Sequence, residues 1–231
     1  MKKMKFSILA ASMFILAISC ADAPDADKAT TGDAKEVATA GGTTLTVDPT
    51  ASKVEWIGTK VSGLHNGEVP IKSGTITTSG DTVTGGRFVL DLKNMTITGP
   101  AGSDKGSNDK LLGHLKSGDF FDVEKNPEAT FEITSVKPFS GQVIDSTDSR
   151  QEAISKYKVE NPTHTIAGNL TIKGTTKNIE FPARVTANGT SVDALAKFNI
   201  DRTQWNIVYP GKPDDLIRNE IHLGIALKAN K

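Results

Sequence analysis

The sequence is short of cysteine, histidine and aromatic residues, and each shortage excludes something. Cys20 is the one cysteine in 231 residues, so no intramolecular disulfide can form and the fold must rest on its own core. The four histidines, His65, His114, His164 and His222, lie far apart, so no metal site follows from their spacing. There is no Gly-x-Ser-x-Gly elbow and no His-Glu-x-x-His motif. The glycine-rich run at 99–107 has Asp104 where a phosphate loop needs its second glycine, so it is expected to be a surface loop. Clusters of Lys and Arg are also missing. The formal charge is zero, and removal of a leader carrying Lys2, Lys3 and Lys5 leaves acids in slight excess. Nucleic acid, which calls for a basic footprint, is therefore not an expected partner.

One long apolar run is present, and it lies at the N-terminus. Three lysines precede the stretch from Phe6 to Ile18, and small residues come after it. Basic, then apolar, then small is the order of a secretory signal, and the run is too short for a membrane-spanning helix. Residues 1–19 are read as a signal peptide. Leu16-Ala17-Ile18-Ser19-Cys20 resembles a bacterial lipobox, which makes Cys20 the expected lipid attachment site and the membrane a partner through that lipid. A thiol suits the task because sulfur is the nucleophile. Ordinary cleavage at Ser19-Cys20-Ala21 is the alternative. Residues 20–43 hold almost no large apolar side chain and are expected to form a flexible, lipid-anchored tether. The expected location is the bacterial cell envelope, periplasmic or at the outer membrane.

From residue 44 the sequence alternates with period two. Val54, Trp56 and Gly58 share one face, as do Phe88, Leu90 and Leu92. The same holds for Phe131 and Ile133, for Ile166 to Ile172, for Ile179 to Val185, for Val192 to Ile200 and for Ile221 to Leu227. Turn signals at Ser79-Gly80-Asp81, Lys173-Gly174-Thr175 and Asn188-Gly189-Thr190 separate these runs. An all-β sandwich or closed barrel is expected. Leu111, Leu112 and Leu115 predict a short helix over 108–116, capped by Asn108 or Asp109. The stretch 137–162 reads as an insertion.

Several blocks resemble the YceI family of lipocalin-like envelope proteins. Val54-Glu55-Trp56-Ile57-Gly58-Thr59-Lys60 with Gly63-Leu64-His65-Asn66-Gly67 is similar to its opening strand and turn. Leu112-Gly113-His114-Leu115-Lys116-Ser117-Gly118-Asp119-Phe120-Phe121-Asp122-Val123 with Asn126-Pro127-Glu128-Ala129-Thr130-Phe131 is similar to its most specific block. The stretches 168–177 and 198–207 resemble two further blocks. The resemblance implies an extended antiparallel lipocalin-like β-barrel with a short helix near one end, spanning 44–231. It also implies a non-enzymatic protein that holds a polyisoprenoid, or a similar quinone-like lipid, in its lumen, with no other cofactor. A homodimer is left open.

The candidate lumen residues are Trp56, Phe88, Leu90, Phe131, Ile166, Leu170, Phe181 and Phe198. Alternation alone favours a filled core, because small barrels are usually packed solid; the resemblance reverses that preference. Phe120 and Phe121 are candidates for a gate or a plug at the mouth. His114 and Arg202 are candidates for a polar head group, with a structural hydrogen bond and a local acid (Asp201 or Asp91) as the plain alternatives. A filled structural module of the envelope, and an enzyme on the same scaffold, are the competing readings.

Overall fold

The computed structural model describes residues 22–37, 40–141 and 156–231. The expected signal peptide and Cys20 lie outside the described residues, as do 142–155 of the expected insertion.

The chain order is β1 (Thr30–Asp33), β2 (Thr43–Val47), β3 (Lys53–Lys60), β4 (Gly63–Glu68), β5 (Ile71–Ser79), β6 (Thr82–Asp91), β7 (Thr96–Gly99), α1 (Lys105–Lys116), β8 (Glu128–Pro138), β9 (His164–Ile172), β10 (Thr175–Ala187), β11 (Ser191–Asp201), a 3₁₀ turn (Arg202–Trp205), β12 (Gly211–Lys212) and β13 (Asp215–Asn230). Eight strands close into an antiparallel ring in the order β2, β5, β6, β8, β9, β10, β11, β13 and back to β2. Closure removes the exposed edges that an open sheet of this size would leave.

Strand β13 is long enough to serve two neighbours. Its last residues pair with β2, at Ala229↔Val47, and its earlier part pairs with β3, from Ile217↔Lys60 to Ala226↔Lys53. Between β2 and β3 the chain turns at Asp48, whose carboxylate accepts the amides of Thr50 (2.8 Å) and Ala51 (3.1 Å). The sheet thus continues past the ring as β3–β4–β7 and leads into α1.

Helix α1 begins earlier than the apolar spacing predicts. Its N-cap is Asp104, whose carboxylate accepts from the Ser107 amide at 2.8 Å, and helix begins at Lys105. The expected loop over 99–107 therefore ends at its cap. Gly106 and Ser107 are poor helix formers that hide the first turn from a periodicity argument, and the cap overrides them.

The N-terminal segment also departs from expectation. Residues 22–37 are described, and 24–35 lie in the barrel wall. Thr30–Asp33 pair with Glu180–Lys177 of β10. The Ala29 amide donates to the Asn199 carbonyl (2.9 Å), and the Asn199 amide donates to that of Asp27 (2.7 Å). Composition argued for a tether because almost no large apolar side chain was available to dock. A strand edge needs only backbone partners, which small polar residues supply as well as large ones.

Candidate functional site

The inward faces of the strands enclose a cavity of about 270 Å³. That is far beyond the ~10–15 Å³ a single water needs. Its exposed wall is apolar throughout. The interior is therefore not packed solid, as alternation alone would suggest.

The arrangement begins with an aromatic row around the wall. Phe88 on β6 meets Phe131 on β8 at 6.3 Å, and Phe131 meets Phe181 on β10 at 5.8 Å. Phe181 then stacks on Phe198 of β11 at 4.0 Å and 14°. Phe131 reaches past β9 because Gly168 stands between: a Cβ there would lie 2.3 Å from the Phe131 ring. Trp56 is likewise accommodated by Gly67 opposite it on β4. Ile166 and Leu170 of β9 and Leu90 of β6 also line the cavity.

Part of the cavity wall runs along β13. Ile217, Ile221, Leu223, Ile225 and Leu227 line the cavity, yet all five remain only partly covered. Between them His222 points outward and is buried. Over its regular part, from Ile221 to Leu227, this strip runs roughly 20 Å at ~3.3 Å per residue. These residues were legible as a strand, but nothing in an alternating run tells a packed face from an open one.

The helix end of the cavity is built from α1 and the turns that lead from it to β8. Leu111, Leu115, Phe120 and Phe121 line the cavity there. Phe120 is buried, and Phe121 is half-buried. His114 does not line the cavity. Its imidazole Nε2 bonds Asp119 at 3.0 Å, and its ring meets Phe120 and Tyr209 edge-on at 5.0 and 4.8 Å. It holds the mouth segment together by contacts of its own.

Arg202 is buried at the same end, and its guanidinium is already committed. It donates to the carbonyls of Ile207, Arg218 (3.1 Å) and Ile217 (3.3 Å) and to Asn219 Oδ1 (3.4 Å). Arg202 still lines the cavity and feels the charge of Asp201, but its direct hydrogen bonds go to backbone carbonyls and Asn219. Asp201 instead caps the 3₁₀ turn through the Thr203 amide (2.9 Å), and Asp91 binds Asn94 (2.7 Å). Burial pulls the Arg202 pKa down, and an irregular β13 presents carbonyls that a buried guanidinium must satisfy. Nearby, Lys60 and Asp215 pair at 2.5 Å. With Ser62 also donating to it, the Asp215 carboxyl is pulled down to about 2. Trp205 is fully buried and donates to the Leu170 carbonyl at 2.9 Å.

Trp56 Nε1, Thr59 Oγ1 and His65 Nδ1 are buried without a hydrogen-bond partner among the described residues. Burial, with the charge of Lys60 as a lesser cause, lowers the His65 pKa. Among the described residues there is no cluster of three or more side chains able to hold a metal ion, and no helix is long and apolar enough to cross a membrane.

The YceI-like domain model matches residues 45–229, most of the chain. This chain belongs to the YceI-like family. A UPF0312 protein of Pseudomonas aeruginosa is 36% identical over 112 residues, which covers 45% of this chain and 46% of that protein. The chain thus aligns with about half the length of the curated relatives it matches. Among solved structures, BcnA of Burkholderia cenocepacia is similar with a TM-score of 0.55 and 21% identity, covering 80% of this chain and 99% of its own. A polyisoprenoid-binding domain from Saccharophagus degradans gives a TM-score of 0.54 and 16% identity, covering 80% and 97%. At these identities the likeness establishes the fold, an extended lipocalin-like barrel.

Proposed function

We propose that this YceI-like protein is a non-enzymatic carrier that holds one long-chain lipid, a polyisoprenoid or a similar amphiphile, along the strip of β13. The observation that carries the reading is the partly covered inward face of β13 from Ile217 to Leu227, which lines the same apolar cavity as Phe88, Phe131, Phe181 and Phe198. A branched hydrocarbon contributes almost no hydrogen bonds, so its affinity must come from apolar area removed from water, at about 25 cal/mol per Å². A long apolar groove supplies that area. The polyisoprenoid-binding domain of Saccharophagus degradans, which shares the fold, supports this ligand class.

The same reading places the protein in the bacterial envelope. The signal-like leader and the lipobox-like Leu16–Cys20 sequence support export and acylation at Cys20. Mass spectrometry of an organic extract from protein purified without delipidating solvent tests the ligand. A stoichiometric prenyl or other long-chain species is expected. An empty extract, together with failure to take up added polyprenol, would end the carrier reading.

A further inference from the structure

The ring is uneven in one place. The β10–β11 ladder holds only from Ala183↔Ala196 to Ala187↔Val192. Below those pairs the two strands part, although β10 continues back to Thr175 and β11 on to Asp201. The N-terminal segment fills the slot between them. Residues 27–29 bond to Asn199 of β11 in parallel sense, and Thr30–Asp33 bond to β10 in antiparallel sense. Ile179 and Phe181 flank the slot on one side, and Phe198 and Ile200 flank it on the other. All four line the cavity.

Elsewhere side chains narrow the two ends of the lumen, although Leu111 and Phe121 at the helix end are only half-buried. At the helix end Leu115, Phe120 and Trp205 are buried. At the far end the β5–β6 and β10–β11 turns abut, with Gly80 beside Gly189, and Val83 and Val192 are buried. The slot is bridged at one end by the Phe181–Phe198 stack, and beyond that stack it is closed by something much lighter. The segment contributes Ala26, which is buried, and Ala29, which packs on the core, and no large side chain of it enters the lumen. Its other attachments are polar. The Asn169 carboxamide clasps Lys35, accepting its amide at 3.0 Å and donating to its carbonyl at 2.6 Å, and Asn199 Nδ2 donates to the Pro24 carbonyl at 2.8 Å. Asp22 pairs with Arg218 at 2.9 Å, Asp33 with Lys177 at 3.1 Å, and Lys28 with Glu220, each through an exposed partner. Exposed pairs of this kind hold weakly.

We propose that residues 24–35 are a detachable wall strand, and that its release opens a lateral slot between β10 and β11 through which a hydrocarbon chain enters the lumen. This rests on the reading of the lumen as a lipid site. A side slot suits a long chain better than an end pore. The chain slips in along its length, so no single narrow ring must be threaded and little of it crosses water. Local opening is expected where a segment has many exposed hydrogen bonds and few apolar contacts. The segment has few apolar contacts and its ion pairs are exposed, whereas the β11–β13 ladder runs unbroken from Ser191↔Asn230 to Asp201↔Glu220.

A reversible cross-link tests the gate. Thr30 and Glu180 are directly opposed and both exposed, so Thr30→Cys with Glu180→Cys in a Cys20→Ser background places two thiols across the seam. Asp33→Cys with Lys177→Cys is a second placement, should the first pair perturb folding. The probe is a prenylated benzoquinone supplied in phosphatidylcholine vesicles, its arrival read by quenching of Trp56 and Trp205. Oxidation is expected to slow uptake at least tenfold, and reduction to restore it; equal rates in the two states overturn the gate. Hydrogen exchange gives a readout that needs no ligand. The amides of Ala29 and Asn199 should exchange at least tenfold faster than those of the β8–β9 ladder in the reduced protein, and should slow on oxidation. Equal protection overturns the gate as well. Absence of quinone uptake in both states, with the exchange contrast present, instead rejects the lipid reading and leaves the detachable strand standing.

Discussion

Asn199 and His222 face each other across β11 and β13, and the Asn199 carboxamide oxygen lies 3.0 Å from His222 Nδ1. The other end of the same carboxamide holds the Pro24 carbonyl. A buried imidazole on the outside of the barrel therefore orients the residue that anchors the N-terminal strand. Tyr157 covers the ring edge-on at 5.3 Å. Burial, with the positive charge of Lys197 as a lesser cause, pushes the His222 pKa down to about 4.

That depressed pKa sets the sign of a pH dependence. An unfolded histidine titrates near ~6.5. As pH falls from there to about 4, the unfolded chain takes up a proton that folded His222 refuses, so stability is full above that window and lost within it. Urea unfolding at pH 4.5 and 7 should show the native protein losing about 2–3 kcal/mol more than His222→Gln. An identical pH response in the two proteins would refute this.

Asn169 makes the second clasp on the strand and is itself buried, with Asn178 Nδ2 donating to its oxygen at 3.1 Å. Asn169→Ala should lower stability by about 1–3 kcal/mol by orphaning these groups. It should also make the segment near residue 35 the first site of limited proteolysis. Asn169→Asp should not rescue it, because a carboxylate cannot donate to the Lys35 carbonyl.

Gly168 is required by a close approach. An added Cβ would meet the Phe131 ring at 2.3 Å and the Glu132 carbonyl at 2.7 Å. Gly168→Ala should cost about 1–3 kcal/mol and tilt Phe131 toward the lumen. Thermal unfolding and a changed near-ultraviolet circular dichroism band check both effects.

The barrel was legible in the sequence because one face of nearly every strand must be apolar. Phe88, Phe131, Ile166, Leu170, Phe181 and Phe198 all stand on inward faces as their alternation implies. The site was legible only in outline. Alternation records which face is inward, not whether a neighbour fills the space beyond it. Leu223 and Ile225 therefore read the same as Val54, although Val54 is covered and they are only partly so. The docked strand was invisible for another reason: Thr30 to Asp33 are held by their backbone, and composition carries no record of backbone pairing. Arg202 shows the limit for charge. Its acceptors are carbonyls of residues 207, 217 and 218, which any sequence possesses, so nothing marked them as partners.

The lumen itself is tested best where it is empty. Phe181 and Phe198 are stacked and covered, so an aspartate at either would meet neither water nor a partner and would unfold the barrel. Leu223 and Ile225 face open space, and there the two outcomes separate. Ile225→Trp should fill part of the cavity with apolar atoms that need no displacement of neighbours. Its stability should stay within about 1.5 kcal/mol of the native protein, or exceed it, because the added side chain gains contacts where none existed. Lipid recovered in an organic extract should fall at least tenfold, since the ring occupies the strip that the hydrocarbon would cover. Leu223→Asp should also abolish co-purified lipid, but should leave a folded barrel, because the carboxylate can be hydrated in a vacated lumen. Circular dichroism and lipid extraction on the same samples decide the matter. A folded Ile225→Trp protein carrying its full lipid would show that the chain lies elsewhere, and an unfolded one would show that the space along β13 is needed by the protein's own side chains.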